Sequence, residues 1–544
     1  MSDSAEATTL RLRGVTSVRA LVAARWFPLG VAAVALAAGA FFLARLTAWP
    51  PHEDETLALF VGRDSFPGML RHVTHERGGA PLHFVLAWGV AHLGLGLAGL
   101  RLVSAILAVG SLVAGALLGA RLASPHAALL GTTFAAASWV FLFHGVFGRM
   151  YSLFLLTSVL TLLALLRALD RGRRRDWALW AIAMLLCVAS HPYGALVLAG
   201  QGLFVLLERR RLLRAGIAFA CVLAAGTPFW LVDRRLAERF DVGVGGGGAQ
   251  LGGPRQVAQF LWSSAGDFAT GWRWPLLAIA LVAAVGLAVV PRRTALLGLC
   301  LLAAPTAAFL AARLHSAASP QTRHLIFLLP LFSLVLAAGL LRLLGRTPVV
   351  LAVVAAGILA GEVGWAWHRT PQLLEGEPAA RVAARNAASA WLATTARPDD
   401  VLLGYNPLYL GAWERNRDFS HTVVPRADVT LMLRVLERTR PLGRAVVVLD
   451  GSNPRNRRPT MQIAPLQPQP ARAYEVRTFG PFLVARTRAP TGTPARFLER
   501  VEEVEALGRA EGLDETVINL DVVRAAQRSL DQSRSAGSRS ISSR

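Results

Sequence analysis

The chain has 544 residues, of which 54% are hydrophobic and 17% are charged, and its mean hydropathy is +0.45. Soluble globular proteins are only about 45–50% apolar even when Gly is counted. The excess of Ala, Leu and Val runs therefore excludes an ordinary soluble fold and indicates helices in lipid. All 57 basic residues are Arg and the net charge is +23, which in a soluble chain would suggest nucleic acid. Here most arginine clusters lie between apolar runs, so we expect them to control membrane topology and expect no nucleic-acid partner.

The first apolar run, Phe27–Leu46, follows an arginine-rich segment at residues 1–26. It is long enough to cross a bilayer, and no small-residue cleavage site is evident before Trp49. We therefore predict a first transmembrane helix with a cytoplasmic N-terminal segment, in a multi-pass protein of the bacterial inner membrane.

Further apolar runs of spanning length follow, and together they predict about eleven transmembrane helices within a module at residues 27–368. The predicted spans lie near 27–48, 101–121, 126–147, 150–169, 177–191, 193–208, 212–232, 275–290, 294–312, 324–343 and 348–367. With eleven spans, every short arginine-rich connection falls on the side of the N-terminus, as the positive-inside rule requires. These connections are Asp170–Asp176, Glu208–Arg214, Pro291–Arg293 and Arg342–Arg346.

Pro81–Leu97 is also apolar and is the alternative twelfth span. Counting it would move two of the arginine-rich connections to the outside. We therefore predict that it lies against the outer face of the membrane without crossing it.

The predicted outer side contains a first loop at 49–99, a Gly-rich stretch around Gly245–Gly248, and everything after Trp367. The Gly-rich stretch fits either a lid over a site or a mobile connector. Residues 369–494 combine a predicted amphipathic helix with buried strands, which indicates a small extracytoplasmic α/β domain. Residues 495–544 predict a helical segment and a disordered Ser/Arg tail.

The first outer loop begins with Pro51-His52-Glu53-Asp54-Glu55-Thr56. Three carboxylates directly beyond a span fit a metal site, a general base, or a solvated surface. Three other outer segments could line a site: Gly148-Arg149-Met150-Tyr151, Ser190-His191-Pro192-Tyr193-Gly194, and Gln321-Thr322-Arg323-His324. The alternatives are interfacial anchoring for the arginine segments and a tight turn for the histidine segment.

Two classes of site are not indicated by the sequence. There is no P-loop and no dinucleotide fingerprint in context, so nothing suggests an ATP-driven pump. The cysteines Cys187, Cys221 and Cys300 lie inside apolar runs without metal-ligand spacing, so neither a disulfide framework nor a metal site is predicted from them.

Taken in order, these motifs resemble the GT-C superfamily of membrane glycosyltransferases. The closest branch contains protein O-mannosyltransferases and lipid A aminoarabinose transferases. The resemblance covers roughly residues 25–345. It rests on the outer Asp-Glu-Thr followed by the segments Gly79-Ala80-Pro81-Leu82-His83-Phe84, Leu100-Arg101-Leu102-Val103-Ser104-Ala105, Gly148-Arg149-Met150-Tyr151 and Arg323-His324.

The resemblance implies transfer of a sugar from a polyprenyl-phosphate carrier to a glycan, lipid or protein acceptor outside the cytoplasmic leaflet, with inversion at the anomeric carbon. It implies Asp54 as the general base, with Glu55 in support. Arg149, Tyr151 and Arg323, with His324 beside it, would hold the lipid phosphate. The chain departs from the family pattern at Ala80, Met150 and His324.

The residue chemistry leaves the other assignments open. His75, His191 and Tyr193 are possible contacts for the sugar or acceptor. No cofactor is required, although a divalent cation at the carboxylate cluster stays an alternative. A secondary transporter or lipid flippase would also use polar groups at membrane depth, and a membrane scaffold that binds cell-wall polymer is a third hypothesis.

Overall fold

The structure is a computed structural model that describes residues 25–240, 253–312, 320–426, 428–451, 472–510 and 519–532. The arginines before Arg25, the Gly245–Gly248 stretch and the last twelve residues of the Ser/Arg tail, 533–544, lie outside the described residues.

Helices α1 to α17 form the membrane region and its first loop. The helices are α1 Arg25–Arg45, α2 Glu53–Gly62, α3 Phe66–Arg71, α4 Pro81–His92, α5 Gly96–Leu122, α6 Pro125–Ala137, α7 Trp139–Val146, α8 Tyr151–Arg171, α9 Arg174–Ser190, α10 Gly194–Glu208, α11 Leu212–Ala225, α12 Thr227–Phe240, α13 Pro254–Phe268, α14 Arg273–Val289, α15 Arg292–Ala312, α16 Leu329–Leu344 and α17 Pro348–Arg369. A π-helical turn, His72–Arg77, follows α3, and a 3-10 helix, Thr322–Leu328, precedes α16.

Each of the eleven predicted spans coincides with a helix or a bent pair of helices. In the described part of the chain, six helices are long and apolar enough to cross a membrane, and the number rises to nine if each bent pair is one span. The bent pairs are α6 with α7, α11 with α12, and α13 with α14. The two other predicted spans correspond to α9, with 17 residues, and α10, with 15. The count of eleven stays a prediction, because these two helices are short.

Ion pairs join the arginine-rich connections at one end of the helix bundle. Asp170 accepts hydrogen bonds from Arg121 at 2.5 Å and from Arg293 at 2.8 Å. Arg293 also lies 3.0 Å from Glu208. Because these residues come from three connections and the end of α5, the connections meet on one side, as the eleven-span topology predicts.

The segment Pro81–Leu97 contains helix α4, which has only 12 residues. Such a helix is about 18 Å long, well short of the roughly 30 Å hydrocarbon core. Its buried side chains Phe84 and Val90 share a core cluster with Leu57 of α2 and with residues after the last span, including Tyr409. This placement agrees with a helix outside the membrane and not with a twelfth span.

The region after the last span forms a five-stranded sheet with flanking helices. The strand order is β2-β1-β3-β5-β4, with β1 parallel to β2 and β3, and with β5 antiparallel to β3 and β4. The elements are α18 Gln372–Glu375, α19 Ala379–Thr395, β1 Val401–Leu403, α20 Pro407–Arg415, β2 Thr422–Val424, α21 Val429–Arg438, β3 Ala445–Asp450, β4 Tyr474–Phe479, β5 Phe482–Thr487, α22 Pro494–Ala510 and α23 at 519–532.

A buried ion pair between Glu55 and Arg101 fixes the chain as it leaves the first span. Arg101 donates from Nε to Glu55 Oε1 at 2.8 Å and from Nη2 to Oε2 at 2.7 Å. Its other N–H groups donate to the carbonyls of Leu46, Trp49 and Pro50 at 2.7–2.9 Å. The two side chains are 0% and 1% exposed. A guanidinium with all its donors satisfied is the form in which a buried arginine is stable.

We predict that Arg101→Ala destabilises the protein by about 3–5 kcal/mol, because it leaves the Glu55 carboxylate buried without its partner. Arg121→Ala is the matched control, since the Arg121–Asp170 side chains are 35% and 37% exposed and such pairs contribute about 0–1 kcal/mol. Denaturant unfolding in mixed micelles, followed by tryptophan fluorescence, measures both. Equal losses in the two variants would contradict the assignment.

Candidate functional site at the outer membrane boundary

The start of helix α2 is capped by His52, and its first turn therefore contains the three consecutive carboxylates. The backbone N–H of Asp54 donates to His52 Nδ1 at 3.1 Å, and the backbone N–H of His52 donates to Glu55 Oε2 at 3.1 Å. This reciprocal pattern is a capping box with histidine at the cap position. Acidic residues are also favoured at this end of a helix by its dipole.

The three carboxylates point to three different surroundings, because successive residues of a helix are rotated by about 100°. Glu53 reaches the C-terminal region, where it accepts hydrogen bonds from the backbone N–H of Tyr405 at 2.8 Å and from Arg426 Nε at 2.7 Å. Glu55 is buried against Arg101. Asp54 faces Arg149, in the turn before α8. The three carboxylates therefore do not form a joint ligand set.

Asp54 lies beside Arg149, whose Nε is 3.7 Å from Asp54 Oδ2. The Arg149 Nη1 also approaches the Asp54 carbonyl at 3.4 Å. The turn that carries Arg149 is held by the preceding residue, since the backbone N–H of Gly148 donates to Glu55 Oε1 at 2.8 Å. The buried Nε of Arg149 has no hydrogen-bond partner within the described segments, although it lies in ion-pair range of Asp54.

Burial acts on the pKa of the Asp54 carboxyl more strongly than any single charge, and it raises the pKa. The cations around it together outweigh burial and hold the pKa well below its usual range. Arg149 is the largest of these influences, followed by His52, Arg323 and Arg77. Asp54 is therefore a carboxylate whose ionisation depends on its positive neighbours.

Arg323 approaches the same site from the 3-10 helix before α16. Its guanidinium carbon lies 5.1 Å from the centroid of the Tyr151 ring, which is within range of a cation–π contact. The buried Nε of Arg323 has no hydrogen-bond partner among the described residues. Tyr151 is only two residues after Arg149, so the ring that Arg323 contacts stands next to the turn that carries Arg149.

Aromatic and imidazole rings form the inner wall of the site. The ring of His324 is 4.8 Å from that of Tyr193 and 5.4 Å from that of His191, and the ring of Tyr151 is 4.5 Å from that of His144. These side chains come from four separate segments of the sequence. The break between α9 and α10 therefore delivers His191 and Tyr193 to the same place as Tyr151 and His324.

The segment carrying Arg323 is anchored by Asp267 at the end of α13. Asp267 is buried and accepts hydrogen bonds from Thr322 Oγ1 at 2.8 Å and from Trp365 Nε1 at 3.2 Å, and Arg369 lies 3.5 Å away. Because Thr322 precedes Arg323, this anchor fixes the backbone from which Arg323 extends. The anchor also connects the site to α17.

The structure brings together most of the residues that the sequence singles out: Asp54, Arg149, Tyr151, His191, Tyr193, Arg323 and His324. Two others do not face this cluster. Glu55 is sealed from solvent by Arg101. His75 is exposed on the π-helical turn, where its Nδ1 is 2.8 Å from Thr74 Oγ1 and its carbonyl accepts from Arg235 at 3.0 Å.

Sequence reasoning assigned no role to Arg101, Ser104, His83 or Asp267. Arg101 and Ser104 stand one helical turn apart on α5, and Ser104 Oγ donates to the carbonyls of His144 and Phe147 at 3.0 and 2.9 Å. The sequence signal that could have identified Arg101 is the presence of an arginine inside an apolar run. Burial, reinforced by Arg149, lowers the pKa of His83 to about 3, so this residue is neutral at pH 7.

Comparison with known proteins identifies the fold. The structure is similar to ArnT from Cupriavidus metallidurans in the apo state, with 16% sequence identity over 86% of this chain and 98% of that chain and a TM-score of 0.54. The same protein bound to undecaprenyl phosphate matches with 16% identity over 85% of this chain and 98% of that chain, at a TM-score of 0.53. At this identity the similarity shows the fold, and it confirms the GT-C-like architecture that the ordered motifs predict.

A weaker similarity links the chain to arabinofuranosyltransferase AftD from Mycobacteria, with 18% identity over 78% of this chain and 35% of that chain and a TM-score of 0.48. No protein-family model matches the sequence, and no curated protein matches it.

We predict that Arg149→Gln raises the pKa of Asp54, because the burial that opposes ionisation remains while the largest compensating charge is lost. In the unaltered protein we expect Asp54 to remain ionised even below about pH 4, which is the ordinary pKa of an Asp carboxyl. Infrared difference spectra against Asp54→Asn report the carboxylate band during an acid titration.

Arg121→Gln is the control for this titration, since it removes one positive charge at the opposite end of the bundle. It should leave the titration of Asp54 unchanged. Superimposable titrations of the Arg149→Gln and unaltered proteins would show that Arg149 does not set the pKa.

Proposed function

We propose that this protein is a membrane glycosyltransferase that moves a sugar from a polyprenyl-phosphate donor to an acceptor hydroxyl at the outer membrane surface. The observation that carries the proposal is the meeting of one ionised carboxylate, Asp54, with two arginines that have unused donors, Arg149 and Arg323. The GT-C-like fold, shared with a protein solved in complex with undecaprenyl phosphate, supports the same conclusion.

The proposed reaction is a direct displacement at the anomeric carbon. The acceptor O–H gives its proton to Asp54 while its oxygen forms the new bond to carbon. The bond from carbon to the phosphate oxygen breaks, and polyprenyl phosphate leaves with the electron pair. A positioned carboxylate base contributes about 10²–10⁴-fold to such a step. Attack from the face opposite the phosphate predicts inversion.

Arg149, Tyr151 and Arg323 are proposed to bind the phosphate, with His324 packed behind them. Negative charge develops on the leaving phosphate, and fixed guanidinium groups stabilise charge best when they are oriented before the reaction. The lipid chain would then run between helices, which explains why these groups lie where α8 and the 3-10 helix meet the membrane boundary. The charge is supplied by arginine, so the proposed reaction includes no metal or other cofactor.

Donor binding would also activate the base. Without donor, the surrounding cations hold the pKa of Asp54 low, which favours the carboxylate but makes it a weak proton acceptor. A phosphate that engages Arg149 and Arg323 neutralises part of that charge, and the burial that raises the pKa remains. Asp54 is thus proposed to become a stronger base only when the donor is in place.

The outer location follows from the arginine-rich connections at the opposite end of the bundle, which the positive-inside rule assigns to the cytoplasm. His191 and Tyr193 are proposed to contact the sugar, since their rings adjoin Tyr151 and His324. Glu55 is proposed to position Asp54 through its pairing with Arg101 and not to touch the acceptor.

We predict that Asp54→Asn lowers the rate constant for transfer by about 10²–10⁴-fold, since it removes the base while preserving shape. The assay follows labelled sugar from a polyprenyl-phosphate donor to acceptor in nanodiscs. Glu53→Gln is the matched control. Because Glu53 faces Arg426, its substitution should change the rate constant for transfer by less than about tenfold.

Full activity in Asp54→Asn would eliminate this residue as the base. Vectorial movement of the lipid without any covalent transfer would instead favour a flippase, the alternative class that the sequence leaves open.

We predict that Arg323→Gln raises KM for the donor by about tenfold or more and lowers kcat as well, because a charge-assisted contact to phosphate contributes roughly 1.5–3 kcal/mol. Arg273→Gln serves as the control, since Arg273 lies over the Trp274 ring at the start of α14. Steady-state kinetics with varied donor separate the two constants. A normal KM in Arg323→Gln would remove Arg323 from the donor site.

A further inference from the structure

The cap of helix α2 is an imidazole, and the proposed reaction assigns it no role. The Nδ1 atom of His52 accepts a hydrogen bond from the backbone N–H of Asp54 at 3.1 Å. Ser, Thr, Asp and Asn are the side chains preferred at this position of a helix, because their oxygens are acceptors. A ring nitrogen accepts only when it carries no proton. The cap therefore requires a neutral His52 whose proton is on Nε2.

The same ring nitrogen also lies within reach of the Asp54 carboxylate. His52 Nδ1 is 4.0 Å from Asp54 Oδ2. A lone pair on Nδ1 serves the backbone N–H, whereas a proton on Nδ1 would be attracted to the carboxylate oxygen. The two contacts exclude each other, since the nitrogen has either the lone pair or the proton. The two protonation states of His52 therefore make different contacts with the proposed base.

The imidazole stands between solvent and the turn that carries Arg149. Its ring is 5.1 Å from the ring of Phe147 and nearly perpendicular to it, at 86°. Phe147 is buried, and its carbonyl accepts a hydrogen bond from the backbone N–H of Arg149 at 2.7 Å. The His52 side chain is 51% exposed, so it can exchange a proton directly with water.

The charged groups around this turn single out Asp54 as the partner of a protonated His52. Each carboxylate of α2 has an arginine from another element beside it. These pairs are Glu53–Arg426, Glu55–Arg101 and Asp54–Arg149. Among the ion pairs of the described residues, His52 takes part in the one with Asp54. Burial raises the pKa of Asp54, but the surrounding cations keep it well below its usual range. This carboxylate therefore remains charged where histidine ordinarily titrates.

We propose that His52 is a positioning residue whose protonation releases the cap of α2 and pairs the imidazolium with Asp54, which switches the proposed base off as the pH falls. Histidine ordinarily changes charge between about pH 5 and pH 8. One proton from water binds at Nδ1, and no other group is transferred. The carboxylate that pairs with the imidazolium becomes a weaker proton acceptor. The loss of rate rests on the proposed function, but the exchange of partners at Nδ1 does not.

The exchange of partners is tested without turnover, by solid-state nitrogen NMR of the full-length protein in lipid with isotope-labelled histidine. The difference between the parent protein and His52→Asn isolates the signals of this ring. We expect a bare Nδ1 and a protonated Nε2 at about pH 8, and two protonated nitrogens at about pH 5. A proton on Nδ1 at the higher pH would overturn the cap. A ring that stays neutral at the lower pH would overturn the switch.

The effect on the reaction is tested with single-turnover rate constants at saturating donor. We expect the parent protein to lose at least about fivefold between about pH 8 and pH 5. His52→Asn keeps an acceptor oxygen and takes up no proton, so its rate constant should be within about threefold of the parent's at the higher pH and should not fall with the parent's dependence. His52→Ala has no acceptor and should be slow at both pH values, with thermal unfolding as the check that it folds.

His92→Asn is the matched control. This exposed histidine ends α4, where its Nδ1 lies 3.0 Å from the Trp88 carbonyl, and its replacement should leave the pH profile of the parent unchanged.

A His52→Asn profile that falls as steeply as the parent's would overturn the switch, and a full rate in His52→Ala at the higher pH would overturn the positioning role. If the parent protein transfers no sugar from any polyprenyl-phosphate donor, the proposed function fails. The NMR measurement still decides the exchange of partners at Nδ1, so the two failures are distinguishable.

Discussion

The half of this protein that carries the candidate site depends on the buried pair between Glu55 and Arg101. Transferring either charge out of water is costly, and the cost is offset only when every polar atom finds a partner. Here the guanidinium holds the exit of the first span through three carbonyls. The carboxylate accepts from Arg101, His52 and Gly148. Four segments of the chain are therefore fixed relative to one another by two side chains.

The same pair sets the geometry of the candidate site through its sequence neighbours. Asp54 precedes Glu55, and Arg149 follows Gly148, so anchoring Glu55 to Gly148 places the carboxylate and the guanidinium beside each other at 3.7 Å. The side chains of Asp54 and Arg149 are partly exposed, while those of Glu55 and Arg101 are sealed from solvent. Neighbouring acids in one turn of α2 therefore have different surroundings.

Irregular backbone occurs where the site meets the membrane. The 3-10 helix delivers Arg323, the break between α9 and α10 delivers His191, and the bent pair α13–α14 delivers Asp267. Backbone that leaves the regular helix at membrane depth is tolerated when it lines protein or water. The C-terminal region contacts the same helix that carries Asp54, since Glu53 binds Arg426 and the backbone N–H of Tyr405.

The sequence alone determined the membrane class and the helical segments, because apolar run length and arginine placement are local properties. It also predicted the helix Ala379–Thr395 and the buried strands after it. The order of motifs indicated the GT-C-like fold, and it singled out Asp54, Arg149 and Arg323. Proximity in space could not be read from these motifs, since Asp54 and Arg323 are far apart along the chain.

Only the tertiary structure decided which partner each of the three adjacent carboxylates meets. Their spacing is the same in any helix, whereas their partners, Arg426, Arg149 and Arg101, come from distant segments. It also separated His75 from the ring cluster around Tyr151 and placed it, exposed, on the π-helical turn. Burial and pairing over long sequence distances set these outcomes, and no local pattern encodes them.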